Sequence, residues 1–304
     1  MLIQSEPRQI TPARPPLAPL SHEQIERLVR IALDEDAPWG DITSQTLIPA
    51  DAQMTASLVA REPGILSGAA VFTAAMTLVN PAVVTHFLIE DGTAFEPGAT
   101  LATVHGPARA ILQAERIALN FAQRLSGIAT LTHRYVAAIA GTRARIVDTR
   151  KTTPGLRLLE RYAVRCGGGH NHRFSLSDAV MAKDNHLAVL TQNGVRSLTE
   201  ALKQARAALP HTTHLEVEVD RPDQIEPVLA AGIDTIMLDN FTVEQLRAGV
   251  AQIAGRALIE ASGGVSLETV ADIAATGVDI ISVGALTHSV RSLDLGLDVA
   301  ADPS

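Results

Sequence analysis

The segment LEVEVDRPDQIEPVLAAGIDTIMLDN, Leu215 to Asn240, decides the architecture: two short β-branched runs, LEVEVD (215–220) and TIMLD (235–239), enclose a helical stretch. Strand, helix and strand in this order read as one unit of a parallel sheet with helical crossovers. The pattern extends in both directions. RIVD (145–148) and AVMAK (179–183) precede the segment, and ALIEA (257–261) and DIISV (279–283) follow it. At the C-terminal ends of these runs stand Asp148 with Arg150 and Lys151, then Lys183, then Glu218 and Asp220, then Asp239, then Ser262 with Gly263 and Gly264, and finally Gly284 with Ala285. In a β/α barrel those ends form the active-site face, so residues scattered along the chain converge on one mouth. Six strands fall short of eight, which predicts an incomplete parallel β/α barrel.

Upstream the texture differs. Five prolines in the first 20 residues predict a flexible arm ending near Leu20. A helix is expected from Ser21, which with Gln24 has the form of a capping box. Between Met54 and Val104 short apolar segments alternate with the turn signals EPG, NPA, DGT and EPG, as in a small, mostly antiparallel sheet. A long helical pattern starts near Ala108, with Arg116 turned away from its apolar side and an interruption expected at Gly127. The division expected is an arm over 1–20, an N-terminal α/β sandwich-like domain over 21–127 joined by 289–304, and the partial barrel over 128–288.

Composition excludes several classes. A chain of 304 residues, 46% hydrophobic, can bury a full core. A formal net charge of -8 argues against nucleic acid or an anionic membrane as partner. No run of eighteen apolar residues suggests a membrane helix, and the proline-rich start does not resemble a signal peptide. A single cysteine, Cys166, cannot form an intrachain disulfide, which fits a cytoplasmic protein; a packed thiol is the expectation for it.

Within this acidic chain, residues 148–187 hold seven of the 25 Lys and Arg: Arg150, Lys151, Arg157, Arg161, Arg165, Arg173 and Lys183. Guanidinium forks match carboxylates bidentately and lysines add point charges, so the cluster predicts a small, multiply anionic ligand, a dicarboxylate or a phosphorylated compound. Arg157, Arg161 and Arg165, at helical spacing, can equally be paired structural charges. Gly167, Gly168 and Gly169, beside HNHR, are expected to let a ligand approach the backbone, although three glycines also suit a helix end. His170 and His172 resemble a metal pair, yet no third ligand stands nearby in the sequence, so zinc is not expected. Glu216, Glu218 and Asp220 share one strand face, and with Asp239 they could meet ribose hydroxyls, a hydrated magnesium ion or the opposing cations. Magnesium ordinarily pairs one or two carboxylates with substrate phosphates, which points to a magnesium–diphosphate substrate. Ser262, Gly263 and Gly264, before a helix expected near Ser266, and Gly284 with Ala285 after the last strand suit a phosphate.

Taken together, EDAPWGDITS (35–44), ERIALNF (115–121), DTRKTTPGLR (148–157), GGGHNHR (167–173), KDNH (183–186), EVEVD, MLDNF, ASGG and SVGALTHS resemble the quinolinate phosphoribosyltransferase family. The resemblance implies a type II phosphoribosyltransferase fold and the conversion of quinolinate and phosphoribosyl pyrophosphate to nicotinate mononucleotide, pyrophosphate and carbon dioxide in de novo NAD synthesis. It also implies Mg2+ held through Glu218 and Asp239, and a homodimer or larger assembly in which Arg116 is supplied by the neighbouring subunit. Thr149, Arg150, Lys151, His172, Arg173 and Lys183 would bind substrate with Glu218, Asp239, Ser262, Gly263, Gly264, Gly284 and Ala285. Lys151, Glu218 and Asp239 would serve catalysis. Arg161 stands where many members have Lys, and the matching segments begin only after the arm. A related pyrophosphorylase acting on another base, a non-catalytic sensor of phosphoribosyl compounds and an aldolase with Lys183 as Schiff base are the competing readings; the number of cations favours a dicarboxylate.

Overall fold

The computed structural model describes residues 17–191 and 197–299. The proline-rich arm up to residue 16 and the last residues, 300–304, lie outside the described residues. Leu17, within the stretch expected to be free, packs beside Ile65, Ala129 and Cys166.

The first layer runs through α1 (His22–Asp36), α2 (Ile42–Leu47), β1 (Gln53–Ala60), β2 (Gly64–Ile65), α3 (Ala69–Val79), β3 (Val84–Phe87), β4 (Ala94–Phe95) and β5 (Thr100–Pro107). Ser21 occupies the N-cap of α1, but its side chain makes no capping bond, so the expected capping box is absent. Asp41 caps α2 instead, accepting from Thr43 N at 2.9 Å. The 31-residue helix α4 (Ala108–Ala138) follows and continues through Gly127. That glycine is there for space: a Cβ would collide with the carbonyl oxygen of Arg291, where the returning chain crosses the helix.

The second layer contains β6 (Arg145–Val147), α5 (Arg157–Cys166), β7 (Val180–Ala182), α6 (Asp184–Thr191), α7 (Leu198–Ala208), β8 (Leu215–Val219), α8 (Ile225–Leu229), β9 (Thr235–Asp239), α9 (Val243–Ile253), β10 (Leu258–Ser262), α10 (Val270–Ala274), β11 (Ile280–Ser282) and α11 (Ala285–His288). Its six strands form one parallel sheet in the order β6-β11-β10-β9-β8-β7. The edges β6 and β7 are not paired with each other, so the β/α barrel is incomplete, as the strand count predicts. Helix starts carry their own signals: Ser197 with Glu200 and Thr242 with Gln245 form capping boxes. Finally β12 (Leu295–Val299) returns to pair with β1 in an antiparallel sheet of order β12-β1-β5-β3.

Alternation along the barrel strands separates two populations. Leu215, Val217 and Val219 of β8 are buried in the core, as are Ile236 and Leu238 of β9 and Ile259 and Ala261 of β10. The intervening residues, Glu216, Glu218, Thr235, Met237, Asp239, Leu258, Glu260 and Ser262, face the inside of the barrel and line its cavities. The buried apolar residues form one main cluster that includes both layers, with α4 contributing Ile111, Ala118, Leu125 and Ile128.

Candidate active site

The segment 148–179 spans the seam between β6 and β7. Its anchor is Asp148, fully buried, which accepts hydrogen bonds from Arg161 Nη1 (3.1 Å), Asn171 Nδ2 (2.6 Å) and His172 N (2.8 Å). Burial pushes the Asp148 carboxyl up from its ordinary range, against the pull of Arg161 and these donors. Asp148 therefore does not join Arg150 and Lys151 in facing a ligand. It straps the loop bearing His172 and Arg173 to the barrel edge, where His170 bridges to Val147.

A second buried carboxylate holds the DTRKTTPG loop. Glu160 accepts from Thr153 N (3.1 Å), Thr153 Oγ1 (2.7 Å) and Arg124 Nη2 (2.8 Å), and Arg124 also donates to the carbonyl of Thr287 at 2.6 Å. Thr287 Oγ1 in turn donates to Lys151 O at 2.7 Å. The backbone beneath Arg150 and Lys151 is thus fixed from three helices.

At the C-terminal mouth of the strands opens a cavity of about 410 Å³. Arg150, Lys151, Arg173 and Lys183 supply its cationic wall, with Thr149 and His172 on the same side. Glu218, Asp239 and Ser262 stand opposite, and Met181, Met237, Glu260 and Ser282 complete the lining. Nε of Arg150 is buried without a hydrogen-bond partner. Burial lowers the Arg173 pKa, and the charge of Arg150 lowers it further. Two like-charged guanidiniums lining one cavity make a place for a bound anion. Lys183 Nζ donates to Glu218 Oε2 at 2.6 Å, so this pair links the two walls. Asp239 Oδ2 accepts from Asn240 Nδ2 at 2.6 Å.

Other expected positions lie elsewhere. Arg157 donates to Thr152 Oγ1 and Phe174 O, Arg161 serves Asp148 and His172 O, and Arg165 donates to Gly169 O, so all three hold the seam segment together. The triple glycine is a packing device as well. It ends α5 against α4, where a Cβ on Gly167 would strike the Ala129 carbonyl and one on Gly169 would come within 2.7 Å of Thr132 Cγ2. The helix expected near Ser266 begins only at Val270 and has five residues. Gly263 and Gly264 instead form a turn at φ +86° and +62°, next to Ser262 but outside the cavity lining. Gly284 and Ala285 also lie outside it, although a Cβ on Gly284 would sit 3.3 Å from Lys151 Cδ. Arg116 is exposed on α4 and does not reach the cavity of its own chain.

The third partner that sequence spacing withheld from His172 comes from the barrel floor. His172 Nε2 lies 3.1 Å from Glu216 Oε2 and 3.4 Å from Glu260 Oε2, close enough for the three to be considered as metal ligands. The tautomer argues otherwise. Arg173 N donates to His172 Nδ1 at 2.7 Å, so the proton of a neutral ring sits on Nε2 and points at the carboxylates, whereas a metal-bound imidazole donates from its other nitrogen. Burial lowers the proton affinity of His172, and the hydrogen bonds to Glu216 and Glu260 raise it to about 10. Burial, with the neighbouring Glu260, also raises Glu216, against the pull of His172. While Nδ1 accepts from Arg173 N, the ring proton is on Nε2 and is donated toward the two carboxylates. His170, by contrast, is shifted down by burial and by Arg165 and takes no part.

Met181, Met237, Glu260 and Ser282 escaped the sequence reading. Each stands two positions before a residue at a strand end, Lys183, Asp239, Ser262 and Gly284 respectively, so inward alternation was the available signal.

Two family models match the chain: quinolinate phosphoribosyl transferase, N-terminal domain, over residues 41–126, and C-terminal domain, over 128–298. The nicotinate-nucleotide pyrophosphorylase (carboxylating) of Mycobacterium leprae is 47% identical over 277 residues, 89% of this chain and 95% of the relative. The probable enzyme of the same name from Bacillus subtilis is 43% identical over 280 residues, 92% and 95%. The solved nicotinate-nucleotide pyrophosphorylase of Francisella tularensis superposes with a TM-score of 0.86 at 37% identity, covering 93% of this chain and 99% of that one. On the strength of both domains matched in order and relatives aligned over nearly their full length, the chain belongs to the quinolinate phosphoribosyltransferase family.

Proposed function

We propose that the mouth cavity brings quinolinate and phosphoribosyl pyrophosphate together, with the base on the Arg150–Arg173 side and the ribose between Glu218 and Asp239. The chain is a decarboxylating pentosyltransferase of NAD biosynthesis: it converts these substrates to nicotinate mononucleotide, pyrophosphate and carbon dioxide. The observation that carries the placement is the convergence of Arg150, Arg173 and Lys183 on one side of the cavity, because a dicarboxylate matches that set of cations. Lys183 extends the cationic wall, and His172 and Thr149 add a ring and a hydroxyl to it.

In this reading the pyridine nitrogen attacks the anomeric carbon as pyrophosphate departs. Lys151, exposed at the mouth, neutralises the leaving group. Glu218 and Asp239 face the positive charge that develops on the ribose. Both offer hard oxygen ligands on one side of the cavity, a set that fits Mg2+ carried in on the diphosphate and held through water. Bound there, the ion would supply charge neutralisation for pyrophosphate. Ser262, with the turn at Gly263 and Gly264 and with Gly284 and Ala285, provides hydroxyl and backbone donors for phosphate. The glycosylated nitrogen is cationic, so the ring can hold the electron pair left when the adjacent carboxylate departs.

The working unit in this proposal is a homodimer or a larger homo-oligomer with Arg116 entering the neighbour's cavity, and the compartment is the cytoplasm. No helix among the described residues is long and apolar enough to cross a membrane. A product assay with phosphoribosyl pyrophosphate and magnesium, offering quinolinate and nicotinate separately, tests the reading. Turnover of quinolinate alone, with carbon dioxide matching nucleotide, is expected. Turnover of nicotinate instead would move the function to a related pyrophosphorylase.

A further inference from the structure

Decarboxylation leaves an electron pair on a ring carbon, and that carbon must receive a proton while substrates fill the mouth of the barrel. Glu260 occupies an unusual place for such a step. It sits in the middle of β10, 1% exposed, with its side chain on the floor of the mouth cavity and Oε1 without a hydrogen-bond partner. Its other oxygen lies 3.4 Å from His172 Nε2, beside Glu216, whose Oε1 is also buried and unpartnered. Each of these carboxylates keeps one buried oxygen without a donor beside a single shared imidazole, and a proton on the pair satisfies what the ring does not. A dianionic base above them favours the protonated form further. Of the two, only Glu260 lines the substrate cavity.

The same residue faces a second cavity at the opposite, N-terminal end of the strands, of about 380 Å³, whose outer lining includes His214, Thr235, Leu258 and Ile280. His172, Arg173 and Glu260 are common to both cavities and form the partition between them. A proton can therefore be replaced from below while substrates fill the mouth above. The lysines are poorer donors: Lys151 is exposed and the Lys183 side chain is 46% exposed, both at the mouth, and Lys183 is committed to Glu218.

We propose that Glu260 is the acid that protonates the ring carbon after decarboxylation, and that the lower cavity recharges it. The bond from the ring carbon to its carboxylate breaks heterolytically, carbon dioxide leaves, and the electron pair takes the proton from the Glu260 carboxyl. The resulting carboxylate then takes a proton from water through the lower cavity. This rests on the assignment of the mouth cavity to quinolinate.

The test is the Glu260→Gln variant, which keeps shape and polarity but has no acid proton. Without that proton the carbanion persists and recaptures carbon dioxide. Turnover is expected to fall on the order of a hundredfold, with the quinolinate KM nearly unchanged. In 13C-labelled carbon dioxide, label should enter the adjacent carboxylate of quinolinate mononucleotide recovered from quenched single turnovers, and should not do so in the wild-type protein or in Lys151→Ala. Slow turnover without label exchange, or a KM that rises in parallel, overturns the proposal and leaves Glu260 a residue that shapes the pocket. If Glu260→Gln does not fold, Glu260→Asp withdraws the acid by one methylene and must show the same exchange. Failure of the wild-type protein to couple carbon dioxide to nucleotide would instead overturn the underlying assignment.

Discussion

At Arg150 and Arg173 the molecule holds two like charges close together in a partly dry site, an arrangement that gains by receiving an anion. Removing either guanidinium should therefore weaken quinolinate more than phosphoribosyl pyrophosphate. Arg173→Ala is expected to raise the quinolinate KM by about ten- to a hundredfold, the cost of a lost charged hydrogen bond. Steady-state kinetics with each substrate varied checks this, and an equal rise in both KM values would place the base elsewhere. Lys151 differs because it is exposed and tethered only through its backbone. If it neutralises departing pyrophosphate, Lys151→Ala lowers turnover. A raised KM with unchanged turnover would assign it to binding alone.

At the scale of elements, the seam segment and α4 are held by two buried carboxylates whose partners come from distant parts of the chain. Glu160 is fully buried with Arg124 and Thr153. Glu160→Ala strands the Arg124 charge and should cost about 3–5 kcal/mol, measured as a loss in urea midpoint with an unchanged slope. Gly127→Ala places a methyl against Arg291 O and should cost about 1–3 kcal/mol, read as a lower Tm; an unchanged Tm would mean that the crossing chain moves aside freely. These are also the elements that sequence described least well. The six barrel strands were legible because period-2 alternation is local, and the residues at strand ends followed from topology. Gly127 read as a break and the Gly167–Gly169 run as a ligand approach because their neighbours, Arg291 and α4, are remote in sequence. Asp148 read as one of the mouth charges because its partner Arg161 reaches it only after α5 folds back. Glu260 carried the right parity, but no sequence rule said that Glu216 and His172 would meet it.

For the whole molecule, a net charge of -8 sets a field that repels anionic substrates everywhere except at the mouth, where cations from the seam segment and from the end of β7 converge. Arg116, exposed on α4, lies outside that convergence in its own chain. In a two-fold assembly each subunit can lend Arg116 to the other, and every site is then a composite of two chains. Subunit mixing tests this directly. Arg116→Ala and Lys183→Ala should each be nearly inactive alone. Mixed under conditions that exchange subunits, random pairing makes half of the dimers hybrid, and each hybrid has one site with neither lesion. Activity should then recover to about a quarter of the wild-type level. If Arg116 worked within its own chain, every site would keep one lesion and mixing would restore nothing, so activity after exchange decides whether the active site belongs to one chain or to two.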